Sequence, residues 1–207
     1  MSMKLREPSG MSRRSILWAA GAAMLGSSAN AAPAPAGSVE NIRGEGYVDA
    51  SGQRRWLAAA ALVFIGDVVC TGQESRMGLK LGTRTQVSLG PEARLKLDRF
   101  LVEAGGTLVL ERGALRADYE PGKSAKPLTV RSPFALLAVR GTRFFAGPSN
   151  GVFGVFVERG VVVVSGGGKT VTVTAGRGTN VASPGAQPSD PASWGEARIQ
   201  AALASVS

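Results

Sequence analysis

Apolar and polar residues alternate along much of this chain. Leu79 and Leu81, Val87 and Leu89, Leu95 and Leu97, Leu108 and Leu110, Val155 and Val157, and Val171 and Val173 each lie two positions apart. That spacing sends both members of a pair to one face of an extended strand, so each pair predicts a half-buried β-strand. Glycine punctuates the strands at Gly66, Gly72, Gly82, Gly90, Gly105-Gly106, Gly113, Gly160, Gly166-Gly167-Gly168 and Gly176. Short strands with turn signals every ~8–12 residues predict an all-β sandwich, barrel or solenoid. The continuous run Val161-Val162-Val163-Val164 predicts a strand buried on both faces. Val139 to Phe145 is a further strand, interrupted by Gly141. Units near 79–82, 87–90, 95–98 and 108–113 recur about every eight to thirteen residues, as the rungs of a solenoid-like or rolled β-sheet would; a plain meander has the same pattern. Helical periodicity is confined to the end. There Asp190 is placed to cap a short helix with Pro191 at its first position. Trp194, Ala197, Ile199 and Leu203 give that helix an apolar side, and Gly195 weakens it.

The N-terminus follows a different rule. Ser12-Arg13-Arg14-Ser15-Ile16-Leu17-Trp18 sets an arginine pair before an apolar stretch that runs to Leu25. Gly26, Ser27 and Ser28 follow, then Ala29-Asn30-Ala31. Basic, apolar and small-residue parts in that order read as a secretory signal cleaved after Ala31. The recognition pair Arg13 and Arg14 points to the twin-arginine translocase as the export partner, and Ala29 and Ala31 supply the cleavage site. A bilayer span needs roughly 20 apolar residues, about twice what this run offers, so no stable membrane span is expected. The expected location is the periplasm, free after cleavage. Translation beginning at Met11 would give the same signal. Residues 32–37, Ala-Pro-Ala-Pro-Ala-Gly, read as a stiff extended linker. The expected organisation is a signal peptide at 1–31, the linker at 32–37, a β domain at 38–183 and a tail at 184–207 holding the short helix.

Charge narrows the partners only a little. The 207 residues hold 24 basic and 15 acidic side chains. The signal segment takes four of the former and one of the latter, so the remaining 176 residues carry a net +6. Such a surface favours anionic polymers, including envelope glycans. Nucleic acid is not expected, because the basic residues are scattered and no aromatic–basic RNA motif occurs.

Composition also removes most catalytic chemistry. The chain contains no histidine and one cysteine, Cys70. Ser–His and Cys–His pairs are therefore absent, with the commonest general base. Cys70 cannot form an intramolecular disulfide and sits in an apolar run, as a buried small residue does. No HExxH, CxxC or EF-hand pattern is present, so no metal or cofactor is expected. Asp67, Glu74, Glu92, Asp98, Glu103, Glu111, Asp118 and Glu158 remain as carboxylates for glycoside chemistry. Most fall at turns and strand ends, where charges are solvated, so the chain is not expected to be an enzyme.

Several segments, taken in order, resemble the FecR domain. Gly66-Asp67-Val68-Val69-Cys70-Thr71-Gly72-Gln73-Glu74-Ser75 is similar to its opening motif. Val87-Ser88-Leu89-Gly90-Pro91, Leu95-Lys96-Leu97, Glu111-Arg112-Gly113-Ala114-Leu115 and Val130-Arg131-Ser132-Pro133 follow. Val139-Arg140-Gly141-Thr142-Arg143-Phe144 is the most specific piece, and Val157-Glu158-Arg159-Gly160-Val161-Val162-Val163 with the Ala175-Gly176 turn completes the set. The similarity covers about residues 38–182, with Gly66, Asp67, Thr71, Ser75 and Gly160 at motif positions. It departs where the family carries an acidic-glycine turn and this chain has Leu81-Gly82-Thr83.

The resemblance implies an all-β roll in the periplasm. In the name-giving members the domain follows a membrane helix and relays the occupancy of an outer-membrane receptor to a cytoplasmic sigma factor. Here only 12 residues precede the arginine pair and 24 follow residue 183. The expectation is therefore an exported, non-enzymatic interaction or regulatory module with an envelope protein partner not named by the sequence. Binding of envelope glycan, and sigma-factor regulation from an uncleaved anchor, are the alternatives. The oligomeric state is open. Arg140-Gly141-Thr142 is the candidate interaction motif. Its structural reading is a glycine needed for a close backbone approach, with Arg140 paired to Glu158 or Asp67. Val152–Val164 would accept a partner strand if it lay at an exposed edge, and otherwise completes the core.

Overall fold

The computed structural model describes residues 35–50, 52–101, 105–120 and 127–207, within the unit Pro33–Ser207. The signal segment, with Arg13, Arg14, Ala29 and Ala31, and the carboxylate Glu103 lie outside the described residues.

Strands dominate, as the alternation predicts. β1 (Pro35–Arg43), β2 (Gly46–Ala50), β3 (Gln53–Trp56) and β4 (Leu62–Phe64) come first. They are followed by β5 (Val68–Thr71), β6 (Arg76–Leu81), β7 (Thr85–Leu89), β8 (Arg94–Leu101), β9 (Gly105–Arg112) and β10 (Leu115–Tyr119). β11 (Leu128–Arg131) leads to the two longest strands, β12 (Leu136–Ser149) and β13 (Val152–Gly166). β14 (Lys169–Thr174), β15 (Arg177–Val181), β16 (Ala192–Ser193) and helix α1 (Glu196–Ala204) complete the chain.

The sixteen strands form one sheet that curls on itself. Its hydrogen-bonded path runs β3-β2-β5-β8-β9-β11-β12 and returns β12-β10-β7-β6-β1-β4. Chain neighbours β1 and β2, β5 and β6, β7 and β8, and β9 and β10 lie on opposite halves of that path. The chain therefore turns a corner between the members of each pair, passing from one layer to the other. β12 and β13 are long enough to serve both. Leu136–Val139 of β12 pair with β11, and Thr142–Ala146 pair with β10. β13 pairs through Val161–Gly166 with β14 and through Phe153–Phe156 with β15. β9 and β11 run parallel; the other described pairs are antiparallel.

Every member of the six alternating pairs is buried in the core between the layers. One strand departs from expectation. Val161 is 41% exposed while Val162 and Val164 are fully buried. The valine run is thus buried on one face only, because a strand alternates whatever its composition. It is also interior, between β12 on one side and β14 and β15 on the other, so Val152–Val164 offers no free edge.

A tight turn sets the register between β12 and β13. Asn150 (φ 51°) and Gly151 (φ 77°) alone join β12 to β13, and both central residues are left-handed. Asn-Gly suits this geometry because Asn tolerates that region and Gly pays no Cβ penalty. Pro35–Gly37, placed in the linker by sequence, are extended but hydrogen-bonded within β1, against β4 and β6. The helix begins later than Asp190-Pro191 implies. Its N-cap is Gly195, and Asp190 instead receives the Lys169 ammonium at 2.7 Å.

Candidate interaction site

The motif positions converge on the corners. At the first, Gly66 is left-handed (φ 92°), and its N–H donates to Leu97 O at 2.7 Å. Asp67 Oδ2 accepts from Phe64 N (2.9 Å) and from the Arg55 guanidinium (2.7 Å). Thr71 is buried at the next corner. Its Oγ1 donates to Gly90 O (2.7 Å) and accepts from Ala93 N (2.9 Å), joining the β5–β6 corner to the β7–β8 corner. Ser75 is also buried and ties inward to the β1–β2 corner, accepting from Glu45 N (2.8 Å) and donating to Gln73 O (2.9 Å). A corner breaks the sheet ladder, and these short hydroxyls satisfy the backbone groups it frees.

Arg140-Gly141-Thr142 marks the corner within β12. Pairing with β13 slips between Arg140 and Arg143, so a bulge lies there. Gly141 (φ 63°) and Gly160 (φ 84°) are both left-handed at this point. A Cβ on Gly160 would lie 2.8 Å from Thr142 Oγ1 and well inside contact with Gly141 O. Thr142 is fully buried; its hydroxyl faces Arg140 O (3.0 Å) and donates to Val161 O (2.8 Å), and it accepts from Val161 N (3.2 Å). Gly176 extends the corner to the β14–β15 junction, donating to Val157 O at 2.8 Å. The bulge re-aims both long strands from one layer to the other.

The expected partner of Arg140 is corrected. Glu158 is held by Arg116 in a two-pronged pair (2.7 and 2.8 Å), and Asp67 by Arg55. Arg140 is exposed, with no ion-pair partner among the described residues. Alternation decides this outcome. Glu158 lies in the arm of β13 beyond the bulge, separated only by β12 from β10, which carries Arg116.

Of the candidate carboxylates, Glu111, Asp118 and Glu158 are held by arginines of other strands. Asp118 Oδ2 accepts from Arg143 Nε (2.7 Å) and Oδ1 from Arg159 (2.8 Å), which also reaches Glu120 (2.9 Å). Arg94 joins Asp49 (2.8 Å) to Glu111 (2.6 Å). The hydrogen bond from Arg94 is the first cause holding the Asp49 carboxyl below its ordinary value, and these two acids raise the already high pKa of the guanidinium. Cys70 is buried, and desolvation pushes its thiol up, the opposite of what a nucleophile needs. Among the described residues no group of three acidic, cysteine or histidine side chains is placed to hold a metal.

Two apolar features were not singled out by the sequence. The first is a cavity of about 440 Å³ at the mouth between the layers. Leu110, Pro133, Phe134, Pro148, Val152 and Phe153 line it, with Arg112 and Glu111 as polar groups. Phe134 and Phe153 stack nearly parallel, centroids 4.8 Å apart. The second feature is a slot on the outer face. Trp194 stacks on Phe156 at 5.3 Å, and the Arg198 guanidinium lies 3.6 Å over its ring. Gly154 and Gly178 form the floor; a Cβ there would approach ring atoms to 2.6 and 2.5 Å. With Ala114, Phe145, Ala202 and Val206, this second cluster fastens α1 to the sheet.

The described residues form a rolled, two-layer β-sheet with left-handed glycines at its corners. Residues 67–163 match the model of the family described as FecR protein, so the chain carries a FecR domain. Two crystal structures of a "putative anti-sigma factor" from Parabacteroides distasonis ATCC 8503, at 1.65 and 2.50 Å, share the fold with a TM-score of 0.56. Each is 14% identical over 66% of this chain and covers 64% and 63% of the respective solved chains, so this protein spans under two thirds of their length. No curated protein matches. β1–β4 and β14–β16 lie outside the matched span yet complete the same sheet. Among the described residues no helix is long and apolar enough to cross a membrane.

Proposed function

We propose that this chain is an exported, non-enzymatic FecR-domain protein that works in the periplasm as a regulatory module, by binding one envelope protein. The mouth cavity carries the reading. It is concave and lined mainly by apolar and aromatic groups with two charged residues at hand, which is the composition of a site that accepts an apolar anchor from a partner. The motif positions support it in a different way: their polar groups hold the corners and so fix the layers around the cavity. The signal reading of residues 1–31 supplies the compartment.

The test is cross-linking capture from envelope preparations, with N-terminal sequencing of the recovered chain. One dominant protein partner, lost in Val152→Glu, and a chain beginning at Ala32 are expected. Sedimentation with purified peptidoglycan and no protein captured would overturn the reading in favour of glycan. A second reading, regulation of a sigma factor, is favoured by the description of the two solved structures that share the fold. It predicts a cytoplasmic sigma factor in the captured material and an intact, membrane-associated chain.

A further inference from the structure

The sheet has ends, and they are not alike. β3 is exposed throughout and carries Arg54 and Arg55. β4 is three residues long, and its Leu62 carbonyl already accepts from the Arg55 guanidinium at 3.0 Å. β16 has two residues. Charge, brevity and side-chain capping are the devices that stop one sheet edge from pairing with another. β14 has only Lys169 at its start, and that charge is paired with Asp190. It pairs with β13 alone among the described strands, with no shift of register over its six residues. From Thr170 to Thr174 it has no charge and no proline.

The same five residues, Thr170-Val171-Thr172-Val173-Thr174, read identically in both directions. Val171 and Val173 point into the core, and the three threonines point out. An antiparallel strand laid against β14 about a two-fold axis at Thr172 would set Thr170 opposite Thr174, Val171 opposite Val173, and Thr172 opposite itself. Apolar side chains would continue the core side and hydroxyls the outer side. The adjoining outward positions Val161 and Val163 are uncharged as well, so the outward side chains of the neighbouring strand add no repulsion.

We propose that β14 is the pairing edge of a symmetric dimer, its occupant a second copy of this chain joined antiparallel through Thr170–Thr174. The two-fold makes the contact self-complementary and closed, so association stops at two. It does not depend on the protein partner discussed above.

The test uses charge at the axis. Opposite residues of an antiparallel pair have Cβ atoms ~4.5–5.5 Å apart, so Thr172→Lys sets two ammonium groups against each other and Thr172→Glu two carboxylates. Sedimentation velocity of the full chain is expected to show a concentration-dependent dimer. Each variant alone should weaken it by about tenfold or more at low salt, and an equimolar mixture of the two should recover it as a heterodimer. Thermal unfolding of the dilute variants confirms that this exposed substitution leaves the fold in place. A strict monomer at all concentrations, or a dimer unchanged in both variants, would overturn the proposal.

Discussion

Replacing Gly160 with alanine loads the β13 corner in two ways. Its backbone is left-handed, at φ 84°, and an L-residue there loses about 1–2 kcal/mol. The added Cβ also meets Gly141 O and Thr142 Oγ1. Neither can swing aside: one is a main-chain carbonyl, and the other is held by Arg140 O and Val161 O. Forcing a methyl into such a space costs about 1–3 kcal/mol. The total is about 2–5 kcal/mol, a large share of the roughly 5–15 kcal/mol that holds a domain together. Gly168→Ala separates the two effects. Gly168 has nearly the same φ, 80°, but a Cβ there meets nothing within 4 Å. Urea unfolding of both variants, followed by tryptophan fluorescence, should place Gly160→Ala about 1–3 kcal/mol below Gly168→Ala at a similar slope. Equal losses would refute the close approach and leave only backbone conformation at the corner.

Three further outcomes follow from the same geometry. Thr142→Val keeps the shape but removes the hydroxyl at Arg140 O, Val161 O and Val161 N, and should cost about 1–3 kcal/mol in the same titration. Trp194→Ala empties the glycine-floored slot; a loss of about 3 kcal/mol is expected, with amide exchange accelerating over residues 192–207 rather than across the core. Asp49 and Asp190 are held below the ordinary value of 3.8, first by hydrogen bonds from Arg94 and Lys169 respectively. Because the folded value is the lower one, their contribution is complete above pH 3.8 and is lost as the pH falls below it. The chain has no histidine, so the thermal midpoint should stay flat from about pH 5.5 to 8 and fall below about pH 4. A step near pH 6.5 would contradict this.

The alternation made the strands legible because one side of every core strand faces the layer opposite. The valine run was misleading for a related reason: valine suits a strand whether it faces core or water, so Val161 and Val163 look in sequence like Val162 and Val164. Pairing across strands was beyond the sequence. Nothing local says that Arg116, 42 positions away, reaches Glu158 before Arg140 does. The Trp194 slot needs glycines from two strands, and the mouth cavity brings together β9, the Pro133-Phe134 turn and the β12–β13 hairpin. One signal was available and passed over. Asn150-Gly151 between two apolar runs is a strong hairpin signature, and it would have placed Phe153 back across the turn from Pro148.

That hairpin gives the chain a direction of assembly. β12 and β13 close across two residues, as short a loop as any in the sheet, and together they lay down one strip of each layer. β14 and β15 then add by another short turn, and β10 and β7 dock on the other flank. β2 finds only the short β3 close by and joins the rest of the sheet through β5, while β1 waits for β4 and β6. The hairpin on which both layers meet therefore lies in the last third of the chain and is among the last parts synthesised. A nascent chain truncated before residue 150 lacks β13, the strand that joins β12 to β14 and β15.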